Sequence, residues 1–330
     1  PEVLTPGNPV VYASTCTECP VACGLHVKTR EGRPIKVEGN PDHPVNRGRL
    51  CARAQASVER SYSPDRVEGP MRRTDSGDFE PISWDEALQI VSQAIQRAPA
   101  KTHVLGGHPG PLASASVDAF VDAIGGGGRT VYETFANEAL RVAAEKVYGV
   151  AGEPVFNLEG ADLVVDFGNE ILDTGSSPVE HARQWAAGRD PETHSNGGMR
   201  LVYVGSRLSV TASSSDEWLT ARPGTEGLLA LALAKAAVEA GAPGDPAVAS
   251  AVASADIAKA AAAADVSADA IRRLGKALAK ARKAVALPPG SAVASRRAVG
   301  ANAAVLVLNR GHPYRVFETE SVSRHSVGQA

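Results

Sequence analysis

Residues 16–51 read CTECPVACGLHVKTREGRPIKVEGNPDHPVNRGRLC and contain every cysteine of the 330-residue chain. Cys16, Cys19 and Cys23 follow one another in the pattern C-x2-C-x3-C, and Cys51 comes after the 27 residues 24–50. Three thiols on one short loop can face a common point, and a later thiol can complete a tetrahedron of sulfur. Four thiolates in such an arrangement suit an iron–sulfur cluster or a structural zinc ion.

Disulfides are a third interpretation of the four cysteines, because cysteines of an exported domain often pair. A chain of this length, however, buries a large core and needs no covalent cross-links. Zinc sites usually combine two pairs of cysteines, whereas here three cysteines lie together and the fourth stands alone. The spacing therefore favours a [4Fe–4S] cluster. Four glycines support this interpretation, because glycine lets backbone amides approach sulfur: Gly24, Gly32, Gly39 and Gly48.

The composition excludes several classes of function. With 34 basic and 37 acidic residues the net charge is -3, so the chain has no electrostatic field for nucleic acid. No apolar run approaches the roughly 20 residues of a membrane span. The histidines are scattered, and neither a phosphate-binding Walker loop nor a nucleophile elbow is present. The chain begins at Pro1 without a methionine or a visible signal peptide, and we expect it to be processed or trimmed.

Strands and helices alternate after residue 73. The pattern Ser83-x-x-Glu86 is a capping box that predicts a helix start. Strands are predicted at 103–106, 130–133, 163–167, 201–204 and 284–287, and helices at 113–124, 138–148, 179–187, 226–240, 268–283 and 296–308. Such alternation indicates βαβ units with a parallel sheet. Before residue 73, strands are predicted at 10–13, 27–30 and 35–38, and the alanine-rich residues 247–264 are predicted to be a helical, low-complexity connection.

Four blocks of sequence carry a resemblance to a known family. Together with the cysteine pattern, GRPIKVEGNPDHPVNRGRLCARAQ (32–55) resembles the N-terminal cluster domain of the molybdopterin oxidoreductase superfamily, the complex iron–sulfur molybdoenzymes. SYSPDRVEGPMRR (61–73), PISWDEAL (81–88) and DEWLTARPGTEGLLALAL (216–233) resemble later blocks of that family. The resemblance implies an α/β fold in which a small N-terminal four-cysteine iron–sulfur domain precedes Rossmann-like parallel αβα domains.

The resemblance also implies a domain plan. Residues 1–68 would form the [4Fe–4S] cluster domain and residues 69–133 the first part of a second, α/β domain. Residues 134–283 would form a Rossmann-like third domain, and residues 284–330 a truncated return to the second domain.

The same resemblance assigns roles to particular residues. Cys16, Cys19, Cys23 and Cys51 would bind the [4Fe–4S] cluster, and Arg53 would lie between cluster and pterin as an electron relay. An exposed, solvated arginine is the alternative for that position. The residues expected at a pterin dinucleotide are Gly168, Asn169, Glu170 and Glu226. Ordinary turns and a helix N-terminus account for these four residues equally well.

Two positions depart from the family pattern. Catalytic members usually bind molybdenum or tungsten with a cysteine, selenocysteine, serine or aspartate, and the corresponding stretch 134–149 has Ala136 at or beside that position. Glu138, nearby, is interpreted as a first-turn acid that complements the helix dipole. The family usually has an acid after the strand 201–204, where this chain has Gly205. We therefore expect a [4Fe–4S] cluster and consider molybdopterin unlikely.

The stretch VYETFANEALRVAAEKVYG (131–149) resembles the molybdopterin-like subunit of alternative complex III, near the polysulfide-reductase-like branch. This resemblance implies an electron-transfer and scaffold subunit of a membrane-associated quinol oxidoreductase. Its partners would be iron–sulfur and cytochrome c subunits and a membrane subunit that handles quinone, on the periplasmic side after twin-arginine export. The alternatives are the N-terminal portion of an active molybdenum or tungsten bis-pterin enzyme, acting on polysulfide or thiosulfate, and a structural zinc module.

Overall fold

The computed structural model describes residues 5–19, 21–107, 111–132, 137–149, 152–193, 198–242, 245–290 and 296–310. The chain divides into two compact units at the junction of Thr134 and Phe135. Each unit has its own arrangement of strands and helices.

The first unit begins with a three-stranded antiparallel sheet. Its strands, in the order β1-β2-β3, are β1 (Val10–Thr15), β2 (Gly24–Arg30) and β3 (Arg33–Gly39). A two-residue turn joins β2 to β3, and both of its residues have positive φ, 51° at Glu31 and 80° at Gly32. Such a turn matches the right-handed twist of paired strands. The strands predicted at 27–30 and 35–38 are therefore present and form a hairpin.

A short helix closes this sheet on one side. Helix α1 (Ala52–Ala56) follows Cys51 directly and continues into a 3₁₀ turn, Ser57–Tyr62. Sheet, helix and turn enclose a small core that includes two of the four cysteines, and its buried members are Cys16, Cys23, Leu25, Val37 and Ala54.

Two small sheets complete the first unit. β4 (Met71–Arg73) and β5 (Phe79–Pro81) form an antiparallel pair, and β6 (His103–Gly106) and β7 (Gly128–Val131) form a parallel pair. Helix α3 (Pro111–Ile124) provides the crossover between the parallel strands.

Helix α2 (Trp84–Arg97) begins as the capping box predicts, since the Ser83 hydroxyl accepts the Glu86 N–H at 3.1 Å. None of its residues is buried, and Trp84 and Leu88 are 68% and 59% exposed. The helix is therefore fixed by its N-terminal cap and by its sequence propensity more than by packing.

The second unit is built on a four-stranded parallel sheet in the order β10-β9-β8-β11. Its strands are β8 (Leu163–Asp166), β9 (Arg200–Gly205), β10 (Glu217–Thr220) and β11 (Ala284–Leu287). Every residue of β8 and β11 is buried, as expected of parallel strands covered by helices on both faces. The helices of this unit are α4 (Glu138–Tyr148), α5 (Pro178–Gly188), α6 (Val210–Ser213), α7 (Glu226–Glu239), α8 (Pro246–Val252), α9 (Ile257–Ala264), α10 (Ala268–Lys280) and α11 (Ala298–Arg310).

The strand order reverses at β8. The chain runs outward from β8 to β9 and β10 and then returns to place β11 on the other side of β8. In open parallel sheets, ligands bind beyond the carboxyl ends of the strands at such a reversal. The turns that follow β8 and β11 therefore form the edge of the sheet where a ligand is expected.

Strand β11 completes the sheet of the second unit. Ala284 to Leu287 pair in parallel with Leu163 to Asp166. The four apolar residues of β11 fill the free edge of β8. Helix α11 then packs on α4 and α7 within the same unit.

The alanine-rich stretch differs from its prediction as a connection. Residues 246–264 form α8 and α9, whose Val248, Val252 and Ile257 are buried in the core of the unit. Small side chains permit close packing of helices. A Cβ atom added to Gly275 of α10, for example, would lie 2.5 Å from the Cβ of Ala236 of α7.

Within the described ranges, no single helix is long and apolar enough to cross a membrane. Helices α8 and α9 together have the length and composition of a membrane span, but they are bent by 62° at the break between them.

Candidate functional site

The first three cysteines lie on one tight loop between β1 and β2. The Cys16 N–H donates to the Cys23 carbonyl at 2.8 Å, which joins the two ends of the C-x2-C-x3-C segment. Ala22 has a φ of 53°, in the left-handed region, and its N–H points to the Cys19 carbonyl at 3.4 Å. The loop therefore turns sharply enough to bring three thiols to one end of the small sheet.

Asn46 connects this loop to the fourth cysteine. Its buried side chain accepts the Gly24 N–H at 2.9 Å and donates to the Gly24 carbonyl at 3.0 Å and to the Arg49 carbonyl at 2.9 Å. These bonds link the residue after Cys23 to the segment that leads to Cys51. Asn46 was not among the residues predicted from the sequence. The available signal was an asparagine among prolines and glycines, where its side chain often replaces a backbone partner.

Two glycines of the cysteine segment are required by close approach. A Cβ atom on Gly24 would lie 2.7 Å from the His43 side chain, and one on Gly39 would lie 2.4 Å from the backbone carbon of Gly48. These glycines therefore let the 40–49 segment pack against the strands. Gly32 and Gly48 instead have positive φ, which glycine adopts without strain.

The four thiols influence one another electrostatically. Burial raises the pKa of the Cys16 thiol to about 11 and that of Cys23 to about 12, and nearby cysteines raise both pKa values further. Cys19, Cys16 and Cys51 all act on the pKa of Cys23 through their charge, so the four cysteines lie near one another. As free thiols, Cys16 and Cys23 resist ionisation. A bound cluster that carries positive iron would reverse this preference, because a coordinating thiol is deprotonated.

The donor set fits an iron–sulfur cluster. All four cysteines are free, so no disulfide forms among them. Among the described residues, no three or more His, Cys, Asp or Glu side chains are arranged to hold a metal ion, so the fit rests on the kind and number of the donors. Four thiols are the ligands that a four-iron cluster takes, one for each iron.

Two arginines lie beside the thiols. Arg53, in α1, and Arg60 both lower the pKa of Cys16 through their positive charge. Arg60 also pairs with Glu18, which lies between the first two cysteines, and lines a cavity of about 270 Å³ next to Cys16. The structure therefore places Arg53 near the thiols. Its role as a relay stays a prediction.

A second group of predicted site residues lies in the turn after β8. Asp166, fully buried at the end of the strand, accepts the backbone N–H groups of Asn169 and Ile171. Gly168 and Glu170 have φ values of 87° and 64°. Burial is the main cause that raises the pKa of Asp166 to about 7. The aspartate thus fixes the turn that presents Asn169 and Glu170.

The turn after β8 is joined to the turn after β11. Asn169 Nδ2 donates to the Pro288 carbonyl at 3.0 Å, and the Gly290 N–H donates to the Gly168 carbonyl at 3.1 Å. Asn137, the cap of α4, lies at the same edge, with its Nδ2 3.4 Å from the Pro289 carbonyl. Three elements therefore converge where the strand order reverses.

Glu170 has an unusual environment. Its buried Oε1 accepts the Tyr203 hydroxyl at 2.8 Å and Arg207 Nη2 at 3.1 Å. Among the described residues, neither Glu170 Oε2 nor the buried Asn169 Oδ1 has a hydrogen-bond partner. Buried acceptors without donors are rare in folded proteins. This pair fits a bound group that supplies N–H donors, such as the ring edge of a pterin or a nucleotide base.

Glu226 has a different arrangement. It lies buried at the start of α7, where its Oε1 accepts the Gly224 N–H at 3.1 Å. An acid in the first turn also stabilises the helix dipole. The described contacts thus join Gly168, Asn169 and Glu170 in one turn and give Glu226 a local partner. A cofactor-binding role for these four residues stays a prediction.

The expected position of the metal donor, Ala136, lies outside the described residues. The neighbouring Glu138 pairs with Arg141 on the exposed side of α4. The hydrogen bond from Arg141 is the main cause that lowers the pKa of Glu138. The described contacts of Glu138 are those of a first-turn helix acid.

Comparison with known proteins agrees with this architecture. Residues 10–63 match the molybdopterin oxidoreductase Fe4S4 domain, which includes all four cysteines, and residues 66–306 match molybdopterin oxidoreductase. The two matches describe an oxidoreductase with an iron–sulfur domain at its start. The chain belongs to the molybdopterin oxidoreductase family.

Curated relatives include subunits of two reductases. The menaquinone reductase molybdopterin-binding-like subunit of Nitratidesulfovibrio vulgaris is 31% identical over 82% of this chain and 40% of its own length. The molybdopterin-containing subunit of the arsenate respiratory reductase of a Shewanella species is 27% identical over 69% of this chain and 27% of its own length. This chain therefore spans less than half the length of either relative.

A solved structure supports the fold. Acetylene hydratase from Pelobacter acetylenicus superposes with a TM-score of 0.71 at 16% sequence identity, over 90% of this chain and 42% of that one. The small iron–sulfur domain followed by parallel α/β structure, as predicted, is therefore the fold of this chain.

One expectation requires correction. Molybdopterin was expected to be unlikely, on the basis of Ala136 and Gly205. The match over residues 66–306 is to the molybdopterin oxidoreductase domain itself, so that expectation has no support. A missing side-chain donor does not remove the rest of a dinucleotide site, and the unpartnered acceptors of the turn after β8 fit such a site.

Proposed function

We propose that this chain is the iron–sulfur electron-transfer part of a quinone-linked respiratory oxidoreductase. Cys16, Cys19, Cys23 and Cys51 hold one [4Fe–4S] cluster that passes single electrons. The observation that carries this proposal is the Fe4S4 domain match over residues 10–63, which contains all four cysteines, each of them free of disulfides.

The surroundings of the thiols suit a redox centre. Burial of two of the four thiols lowers the local dielectric, and the potential of a cluster depends on burial and on neighbouring charge. Positive charge from Arg53 and Arg60 reaches Cys16. Both arginines stabilise the reduced cluster, because that state is the more negative one.

The link to quinone rests on similarity. One relative, at 31% identity, is named a menaquinone reductase subunit, and residues 131–149 resemble the molybdopterin-like subunit of alternative complex III. We propose other iron–sulfur or cytochrome c subunits and a membrane subunit that handles quinone as partners. The proposed location is the periplasmic side of the membrane.

Metal analysis tests the cluster. Protein purified without oxygen is expected to contain iron and acid-labile sulfide in equal amounts and to lose a broad visible absorbance on addition of dithionite. Cys51→Ser is expected to lose most of the iron, and the matched control Thr17→Ala, an exposed residue of the same loop, to retain it. Stoichiometric zinc with no iron in the parent protein would overturn the proposal.

A separate experiment tests the respiratory role. Affinity-tagged chain is captured from detergent-solubilised membranes of its own host, and the co-purifying proteins are identified by mass spectrometry. A menaquinol analogue is then added to the captured complex without oxygen. We expect an integral membrane subunit in the complex and bleaching of the cluster by the quinol. A chain that leaves the membranes alone, with a cluster that quinol cannot reduce, contradicts this role.

A catalytic molybdenum or tungsten enzyme is the second proposal. The match of residues 66–306 to the molybdopterin oxidoreductase domain favours it. Elemental analysis for both metals and fluorescence of oxidised pterin, performed on the native complex, test it. Stoichiometric metal with pterin supports a catalytic subunit. If both are absent from a complex that retains its iron, the catalytic proposal fails and the electron-transfer proposal stands.

A further inference from the structure

We propose that the surface around the cavity beside Cys16 is the docking site of an acidic redox protein, which exchanges single electrons with the cluster. This docking site rests on the electron-transfer function proposed above, and it adds the chemistry of the partner and the place of contact. It lies within the first unit, at the end of the three-stranded sheet that carries the cysteine loop.

The cavity has the size and the donors to take a carboxylate side chain. Its volume is about 270 Å³, and Cys16 forms part of its wall. Arg60 and Arg66 lie on the same wall, together with the hydroxyl-bearing Thr17 and Ser61. Guanidinium and hydroxyl groups donate hydrogen bonds that carboxylate oxygens accept. The cavity is therefore suited to an acidic side chain that enters from outside the chain.

Arg66 has the charge that remains available in this cavity. Glu18, the acid on the cavity wall, forms an ion pair with Arg60. Arg66 is exposed, and it has no acidic partner among the residues that the structure describes. A guanidinium binds a carboxylate through two parallel hydrogen bonds. Arg66 is therefore the residue that a carboxylate of a partner would bind.

The charge of the cluster domain has the opposite sign to that of the rest of the chain. Of the 34 basic and 37 acidic residues, eight basic and five acidic ones lie within residues 10–63, which gives a net charge of +3 there and of -6 elsewhere. Seven of these eight basic residues are exposed. A surface of one sign steers a partner of the other sign towards it. The cluster domain therefore favours a partner with an acidic face.

Exposed apolar side chains beside the cavity favour a protein over a small anion. Tyr62 and Val67 follow Ser61 and Arg66 in the sequence and are 55% and 71% exposed. The Tyr62 hydroxyl donates to the Pro34 carbonyl at 2.5 Å, which holds the ring in place. Tyrosine and arginine are enriched in protein interfaces. A small oxyanion would contact the arginines alone and leave these apolar groups in water.

A protein held at this cavity lies close to the cluster, because Cys16 is both a wall residue and a proposed cluster ligand. In the transfer, the reduced cluster gives one electron to an oxidised one-electron centre of the partner, and no bond or proton moves. Electron transfer slows steeply with distance. Docking next to a ligand of the cluster therefore favours a fast reaction.

Stopped-flow oxidation of the full chain, with its cluster reduced by dithionite and the excess reductant removed, tests this docking site. The probes are mitochondrial cytochrome c, which is basic, and the same protein with succinylated lysines, which is acidic. At about 10 mM salt we expect the acidic form to oxidise the cluster about tenfold faster, because opposite charges raise the rate of encounter. At about 0.5 M salt this advantage is expected to disappear, because surface charges are screened.

Arg66→Glu is expected to lower the low-salt rate with the acidic probe about tenfold while the cluster absorbance stays unchanged. The matched control is Arg30→Glu, the same charge change on an exposed residue at the far end of β2, about 20 Å along the strand from Gly24. This control is expected to change the rate about twofold or less. Ser61→Trp fills the cavity without changing the charge and is also expected to slow the acidic probe.

Equal or faster oxidation by the basic probe at low salt, or equal effects of Arg66→Glu and Arg30→Glu, would overturn the docking site. Tight binding of inorganic sulfate in titration calorimetry, lost in Arg66→Glu, would assign the cavity to a small oxyanion and overturn it as well. A chain without iron and sulfide fails the proposed function before any rate is measured. A cluster that both probes oxidise equally leaves electron transfer intact, so the two proposals fail separately.

Discussion

At the scale of the residue, the contacts of Asn46 and Gly205 could not be predicted from the sequence. The cysteine spacing alone predicted the four thiols. Asn46 was missed because its bonds to Gly24 and Arg49 depend on a fold that brings distant segments together. Gly205 was read as a lost acid. The structure shows instead that a side chain there would collide with Tyr203.

Arg53 carries the first prediction at this scale. Arg53→Gln removes a positive charge that acts on Cys16, and the reduced cluster is the more negative state. The reduction potential is therefore expected to fall in a spectroelectrochemical titration, and Arg30→Gln, at the far end of β2, is expected to leave it unchanged. Equal potentials in Arg53→Gln and the parent protein would assign Arg53 to ordinary surface charge.

His181 carries the second prediction. Burial lowers its pKa from 6.5 to about 4, although Nε2 lies 3.1 Å from the Phe156 carbonyl. The unfolded chain takes up a proton as the pH falls through about 6.5, whereas the folded chain does so only near 4. His181 therefore contributes stability above pH 6.5 that is lost towards pH 4.

Between pH 6.5 and pH 4, we expect the free energy of unfolding to fall less in His181→Gln than in the parent protein. The measurement is denaturant unfolding at several pH values in parallel with the parent protein. Identical pH profiles for the two proteins would show that His181 titrates normally in the folded state.

At the scale of the element, burial separates the helices of the two units. Sequence periodicity predicted α2 and α10 equally well, but α10 buries Ile271, Leu274 and Leu278, whereas α2 buries none of its residues. The spacing of apolar residues in the sequence predicts that a helix has an apolar face, but it does not predict which elements pack against that face. Strand β10 was missed because its sequence EWLT has one buried residue and no apolar run.

Two leucines test this difference. Leu274→Ala is expected to lower the free energy of unfolding of the second unit by about 2–5 kcal/mol, because it leaves a cavity in the core. Leu88→Ala, at an exposed position of α2, is expected to change stability by about 0.5 kcal/mol or less. Urea unfolding followed by circular dichroism compares them. Equal effects would mean that α2 is packed in solution.

At the scale of the whole molecule, a cluster domain and a parallel α/β unit share one chain. The order of strands and helices allowed the fold class to be predicted, because alternation of strands and helices restricts the topology. The place of β11 beside β8 was not predicted, since four apolar residues fit the edge of more than one sheet. Whether the chain keeps a pterin site depends on contacts of Asn169 and Glu170 that no sequence motif encodes.

The central claim is that the four cysteines hold a one-electron centre. Its most direct test is a coulometric redox titration of the anaerobically purified chain, followed by visible absorbance. We predict reversible uptake of one electron per chain, with the slope of a one-electron couple of about 59 mV per tenfold change in the ratio of oxidised to reduced forms. A chain that takes up no electron reversibly, with its four thiols bound to zinc or free, would contradict the account.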